Sequence, residues 1–108
     1  MEENTEKAIK TYNSEGPYQK DAMEVAVRGR LGDSNNSPKS FEDLIVNTCG
    51  LHNNTHLQLA AYGCLLRFID EGLAKVAEVN GEKMYSFTEA GAKESSWLLS
   101  VESLAKSY

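Results

Sequence analysis

Apolar residues recur at helical spacing in four stretches of this chain and alternate with polar ones in a fifth. Tyr18, Ala22, Val25 and Gly29, with Met23 and Ala26 beside them, predict a first helix over residues 18–31. Pro17 suits its first turn. Phe41, Leu44 and Ile45 predict a second helix, opened by the capping box Ser40-Phe41-Glu42-Asp43 and closed near Cys49-Gly50. A third starts at Asn54 or Thr55, either able to cap it, and runs to Glu71, with Leu57, Ala61, Cys64, Leu65, Phe68 and Ile69 along one face. Gly72 closes it, because glycine enters the left-handed conformation without a Cβ penalty.

Alternation then takes over. Ala74 to Val79 and Glu82 to Phe87 flank Asn80-Gly81, the dipeptide that suits a type I′ hairpin turn. Ala74 and Val76 are expected to share a face with Met84 and Ser86, and Tyr85 and Phe87 to occupy the packed one. Thr88 can cap a last helix from Glu89 to about Ala105, on which Trp97, Leu98, Val101, Leu104 and Ala105 form one stripe. The pattern predicts a mainly α fold with a small β-hairpin, an α+β class. Residues 1–16 are polar and read as a flexible lead-in, in which Asn4, Glu6, Ala8 and Ile9 could nucleate a short helix that is marginal alone; 17–95 read as the domain, and 96–108 as the continuation of its C-terminal helix. Residues 32–39, rich in Gly, Asp, Ser, Asn and Pro, read as a loop.

Composition narrows the function. The formal charge is −5 and both halves are net acidic, so neither is a basic arm for nucleic acid. No apolar run approaches a membrane span, and the N-terminus has neither the basic nor the apolar region of a signal peptide. A cytoplasmic location away from membranes is expected. Cys49 and Cys64 form no CxxC and read as buried thiols. His52 and His56 lie four apart, yet no HExxH surrounds them, and no phosphate-binding glycine loop or activated nucleophile is recognisable. The chain reads as a non-enzyme without cofactor or metal.

The order Phe41 to Gly50-Leu51, Leu65 to Leu73, the Asn-Gly hairpin and Tyr85-Ser86-Phe87-Thr88-Glu89-Ala90-Gly91 resembles winged-helix domains. The order is similar to that of small archaeal and bacterial regulators of the MarR or PadR type. That resemblance implies a winged helix-turn-helix whose third helix enters the major groove and whose hairpin is the wing. Counted back from Gly72, its outward positions are Asn54, His56, Gln58, Leu59, Tyr62 and Gly63. Asn54, His56, Gln58 and Tyr62, with Lys75 and Lys83 on the wing, become the candidate DNA contacts. Arg28, Arg30 and Lys39 could meet phosphates beside them. Trp97, Leu98, Val101 and Leu104 become the candidate homodimer interface, with packing on the domain's own first helix as the alternative.

Two functions follow. One is a homodimeric transcriptional regulator that binds double-stranded DNA. The other is an acidic winged-helix module that binds a protein, as an adaptor or as an inhibitor of a nucleic-acid machine. The second gains from one departure: no Lys or Arg lies between Lys39 and Arg67.

Overall fold

A computed structural model describes residues 2–46 and 54–95. The order is α1 (Glu2–Asn13), α2 (Pro17–Asn36), β1 (Lys39–Ser40), a π-helical turn (Glu42–Val46), α3 (Thr55–Asp70), β2 (Ala74–Val79) and β3 (Glu82–Phe87). Residues 89–95 are helical again and are called α4. The chain is mainly helical with a three-stranded antiparallel sheet in the order β1-β3-β2.

The segment expected as a lead-in is instead a helix built into the core. Ala8 and Tyr12, one turn apart, are fully buried, and both lie against Gly63 of α3. A short polar helix is marginal alone; burial of these two residues on α3 is what holds it. Asn13 ends α1, and the Ser14 and Glu15 amides close the turn on the Lys10 and Tyr12 carbonyls.

α2 departs from expectation in two ways. Its buried side is Met23, Val27 and Leu31, while the stripe that defined it in the sequence, Tyr18, Ala22 and Val25, faces outward. The helix is apolar on two sides, so periodicity alone picks the wrong one. It also runs on to Asn36 through the expected loop. The Lys39 ammonium gathers the carbonyls of Leu31, Asp33 and Ser37 at 3.4, 2.6 and 3.0 Å, supplying partners that helix ends otherwise lack. Lys39 itself starts β1, which pairs Lys39 with Tyr85 and Ser40 with Met84.

The Ser40 hydroxyl accepts the Asp43 amide at 3.2 Å, so the capping residue acts as expected. The turn it opens is π-helical over Glu42–Val46 rather than α-helical, and it buries Leu44 and Ile45. The expected end at Cys49-Gly50 lies outside the described residues.

From Asn54 onward, local chemistry decides the structure. The Asn54 side chain accepts the Leu57 amide at 3.0 Å and caps α3. Gly72 has φ +78°, and the Leu73 amide returns to the Phe68 carbonyl at 2.8 Å. Asn80 and Gly81 have φ +54° and +80°, as a type I′ turn requires. That two-residue turn pairs Val79 with Glu82, Val76 with Tyr85 and Ala74 with Phe87. The expected faces are thereby corrected: Ala74 and Val76 lie on the side of Tyr85 and Phe87, because residues paired across strands point the same way. Thr88 then caps α4, its hydroxyl accepting the Gly91 amide at 3.1 Å. The core gathers Tyr12, Val27, Leu31, Leu44, Ile45, Cys64, Leu65, Phe68, Tyr85 and Phe87 around α3.

Candidate functional site

α3 buries Ala60, Ala61, Gly63, Cys64, Leu65 and Phe68, and the remaining side chains sort into two bands. The first faces α1. Gly63 is pressed so closely on the Ala8 backbone that a Cβ would overlap the Ala8 carbonyl, which removes it from the outward set. His56 Nε2 lies 2.8 Å from Glu15 Oε1, just after α1. Arg67 donates to the Tyr12 hydroxyl at 3.3 Å and to Glu71 at 2.9 Å. Burial, with the nearby Cys64 and Glu24, pushes the Tyr12 phenol up to about 12. Burial likewise pushes the Cys64 thiol up to about 12, so it is a packing group rather than a nucleophile.

The second band faces outward: Thr55, Gln58, Leu59, Tyr62, Leu66 and Ile69, at three- and four-residue spacing, all exposed or half-buried. It is apolar except at its start. Tyr62 sets its ring edge-on to Phe41, centroids 5.2 Å apart at 83°, and borders Tyr85, whose phenol is raised by burial. A depression of about 150 Å³ lies among Phe41, Thr55, Gln58, Leu59 and Tyr62. On the other side of the band a groove of about 540 Å³ separates α1 from α3. Ile9, Tyr12, Leu66 and Ile69 line it, with Thr5 and Asp70 at its polar edge. Ile9 remains 40% exposed, large for an isoleucine in a packed helix.

The groove escaped the sequence reading because one wall belongs to α1. Thr5, Ile9 and Tyr12, at four- and three-residue spacing, were the available signal.

The expected DNA contacts are not gathered into one set. Asn54 is engaged as a cap, His56 with Glu15, and Tyr62 with Phe41. Gln58 lies in the outward band. Lys75 and Lys83 are exposed on the hairpin, and Lys83 sits opposite Glu78. The cations expected near phosphates serve the fold. Arg28 stacks over Phe68 at 5.0 Å and donates to Ser95 at 2.8 Å. Arg30 holds Asp33 at 3.0 Å and the Asp43 carbonyl at 2.6 Å. Lys39 is buried among carbonyls, and desolvation lowers its pKa. Trp97, Leu98, Val101 and Leu104 lie outside the described residues.

Among the described residues no helix is long and apolar enough to cross a membrane. Compared with protein-family models, with curated proteins and with solved structures, the chain matches none.

Proposed function

We propose that this chain is a protein-interaction module on a winged-helix-like frame, and that the α1–α3 groove receives an apolar, helical segment of its partner. One observation carries the reading: the outward band of α3 presents Leu59, Tyr62, Leu66 and Ile69, and Ile9 of α1 extends it. Half-buried aliphatic and aromatic side chains beside a groove are what an amphipathic helix docks on. The groove's volume falls within the usual range for binding clefts, about 300–1,000 Å³. Asp70 in its lining and the net charge of −5 favour a partner whose flanks are basic. The Arg67 charge in that lining is already answered by Glu71 and Glu24.

The winged-helix-like frame rests on α2, the π-helical turn, α3 and the β2–β3 hairpin in that order. The DNA-reading alternative draws on the same order and on exposed Lys75 and Lys83. It is weakened by α1. A helix with side chains is about 10–12 Å across, and the major groove is about 12 Å wide. With α1 along the flank of α3 from His56 to Arg67, little width remains.

Equilibrium titration of labelled mixed-sequence duplex, stepped from low to physiological salt, tests the choice. A DNA reader binds tightly at low salt and weakens steeply as salt rises. The interaction module shows no saturable DNA binding at low salt.

A further inference from the structure

We infer, building on a partner helix docked at the α1–α3 groove, that the depression on the first half of α3 receives one aromatic side chain of that helix. The depression measures about 150 Å³, and Phe41, Thr55, Gln58, Leu59 and Tyr62 line it with no charged group among them. An apolar cavity of about that size holds one benzene ring. Phe41 and Tyr62 already meet edge-on with centroids 5.2 Å apart, and a third ring seated against them extends the same packing. An aliphatic side chain would fill the space without that ring-to-ring gain. Leu59, half-buried at the wall, takes no part in the protein's own core.

Helix geometry sets the spacing. Leu59 and Leu66 lie seven residues apart on one face, as do Tyr62 and Ile69, so depression and groove follow each other along α3 at about 10 Å. A helix lying along α3 therefore carries its aromatic anchor and its aliphatic anchor seven positions apart. Charge sets which end is which. Asp70 is exposed in the groove's lining and belongs to no ion pair among the described residues. Arg67, in the same lining, is held by Glu71 at 2.9 Å. A basic side chain one turn beyond the aliphatic anchor meets Asp70, whereas one beside the aromatic anchor meets no acid in the depression's lining. The partner segment thus reads aromatic, aliphatic, basic, in either chain direction.

Helical peptides selected from a displayed library on the full chain are the probes, measured by fluorescence anisotropy against the parent, Leu59→Glu, Asp70→Lys and Leu66→Glu. The expected peptides carry Phe, Tyr or Trp seven residues from Leu, Ile or Met, with Lys or Arg on the far side of the aliphatic residue. Replacing their aromatic residue by Ala, or Leu59 by Glu, should weaken binding about tenfold or more. Asp70→Lys should weaken it severalfold at low salt and less at high salt. Leu59 and Asp70 lie outside the core, so circular dichroism of these variants should match the parent. In methyl NMR spectra the Leu59 signals should move upfield with the aromatic peptide and stay in place with its Ala counterpart. Peptides that lose affinity with Leu66→Glu but not with Leu59→Glu, or that lack an aromatic residue at that spacing, overturn the pocket and leave the groove standing. Peptides weakened by Leu59→Glu but not by Leu66→Glu retain the pocket and overturn its pairing with the groove. No enriched peptide overturns both.

Discussion

The Cα of Gly63 lies against the carbonyl of Ala8, closer than any residue with a Cβ allows. This contact lets α1 settle along α3 and creates the groove between them. Gly63→Ala is therefore expected to lower stability by about 1–3 kcal/mol, the usual range for overpacking. Urea midpoints measure it. A variant as stable as the parent would mean that α1 stands further from α3 than described.

Thr88 joins two elements. Its hydroxyl donates to the Gly72 carbonyl at 2.6 Å while accepting the Gly91 amide at 3.1 Å, so one side chain ties the end of α3 to the start of α4. Thr88→Ala should cost about 1 kcal/mol through the lost cap. Gly72→Ala should cost about 1–2 kcal/mol because φ is positive there. Val79→Thr, at an exposed strand position, should cost far less in the same denaturation series.

Alkali should unfold the protein through Tyr12 and Cys64. Burial raises both folded values to about 12, from 10.0 and 9.0 respectively, so the folded state keeps protons that the unfolded chain releases. Their stabilising contribution is whole below pH 9 and is lost as pH rises toward 12. Lys39 acts in the opposite sense: its folded value lies below 10.5, so its contribution improves as pH approaches that figure. Denaturant midpoints between neutral pH and pH 11 should fall, and Tyr12→Phe should flatten the fall. An equal slope in parent and variant contradicts the assignment to Tyr12.

Lys39→Met keeps the length of the apolar stem but removes the ammonium that caps α2. The Leu31, Asp33 and Ser37 carbonyls lose a shared donor. Hydrogen exchange should therefore accelerate over residues 31–36 with little change in β2–β3. Unchanged protection there would mean that the end of α2 is held by other contacts.

The stretch from Asn54 to Thr88 was legible in the sequence because its determinants are local. A capping amide, a left-handed glycine, an Asn-Gly turn and a capping hydroxyl each act within a few residues. What the sequence concealed depends on distant partners. α1 needs α3 beneath Ala8 and Tyr12, the end of α2 needs Lys39, and β1 needs the middle of β3. The choice of buried face on α2 was undecidable from spacing, since Tyr18-Ala22-Val25 and Met23-Val27-Leu31 are both apolar stripes. On the hairpin, turn length fixes which strand positions face each other, and strand-by-strand alternation does not carry that relation across the turn. Of the positions counted outward from Gly72, Asn54 and His56 are exposed and Gln58, Leu59 and Tyr62 are half-buried, whereas Gly63 is buried where an unforeseen helix arrives.

The groove is tested most directly by selecting from a displayed library of helical peptides on the full chain, then measuring the enriched peptides against parent and Leu66→Glu. Peptides with apolar residues at i, i+3 or i+4, and i+7 and with basic flanks are expected. Their affinity should fall about tenfold or more in the variant, since a buried leucine is worth about 1.5–3 kcal/mol. Enriched peptides without that spacing, or an affinity unmoved by Leu66→Glu, would contradict a partner site between α1 and α3.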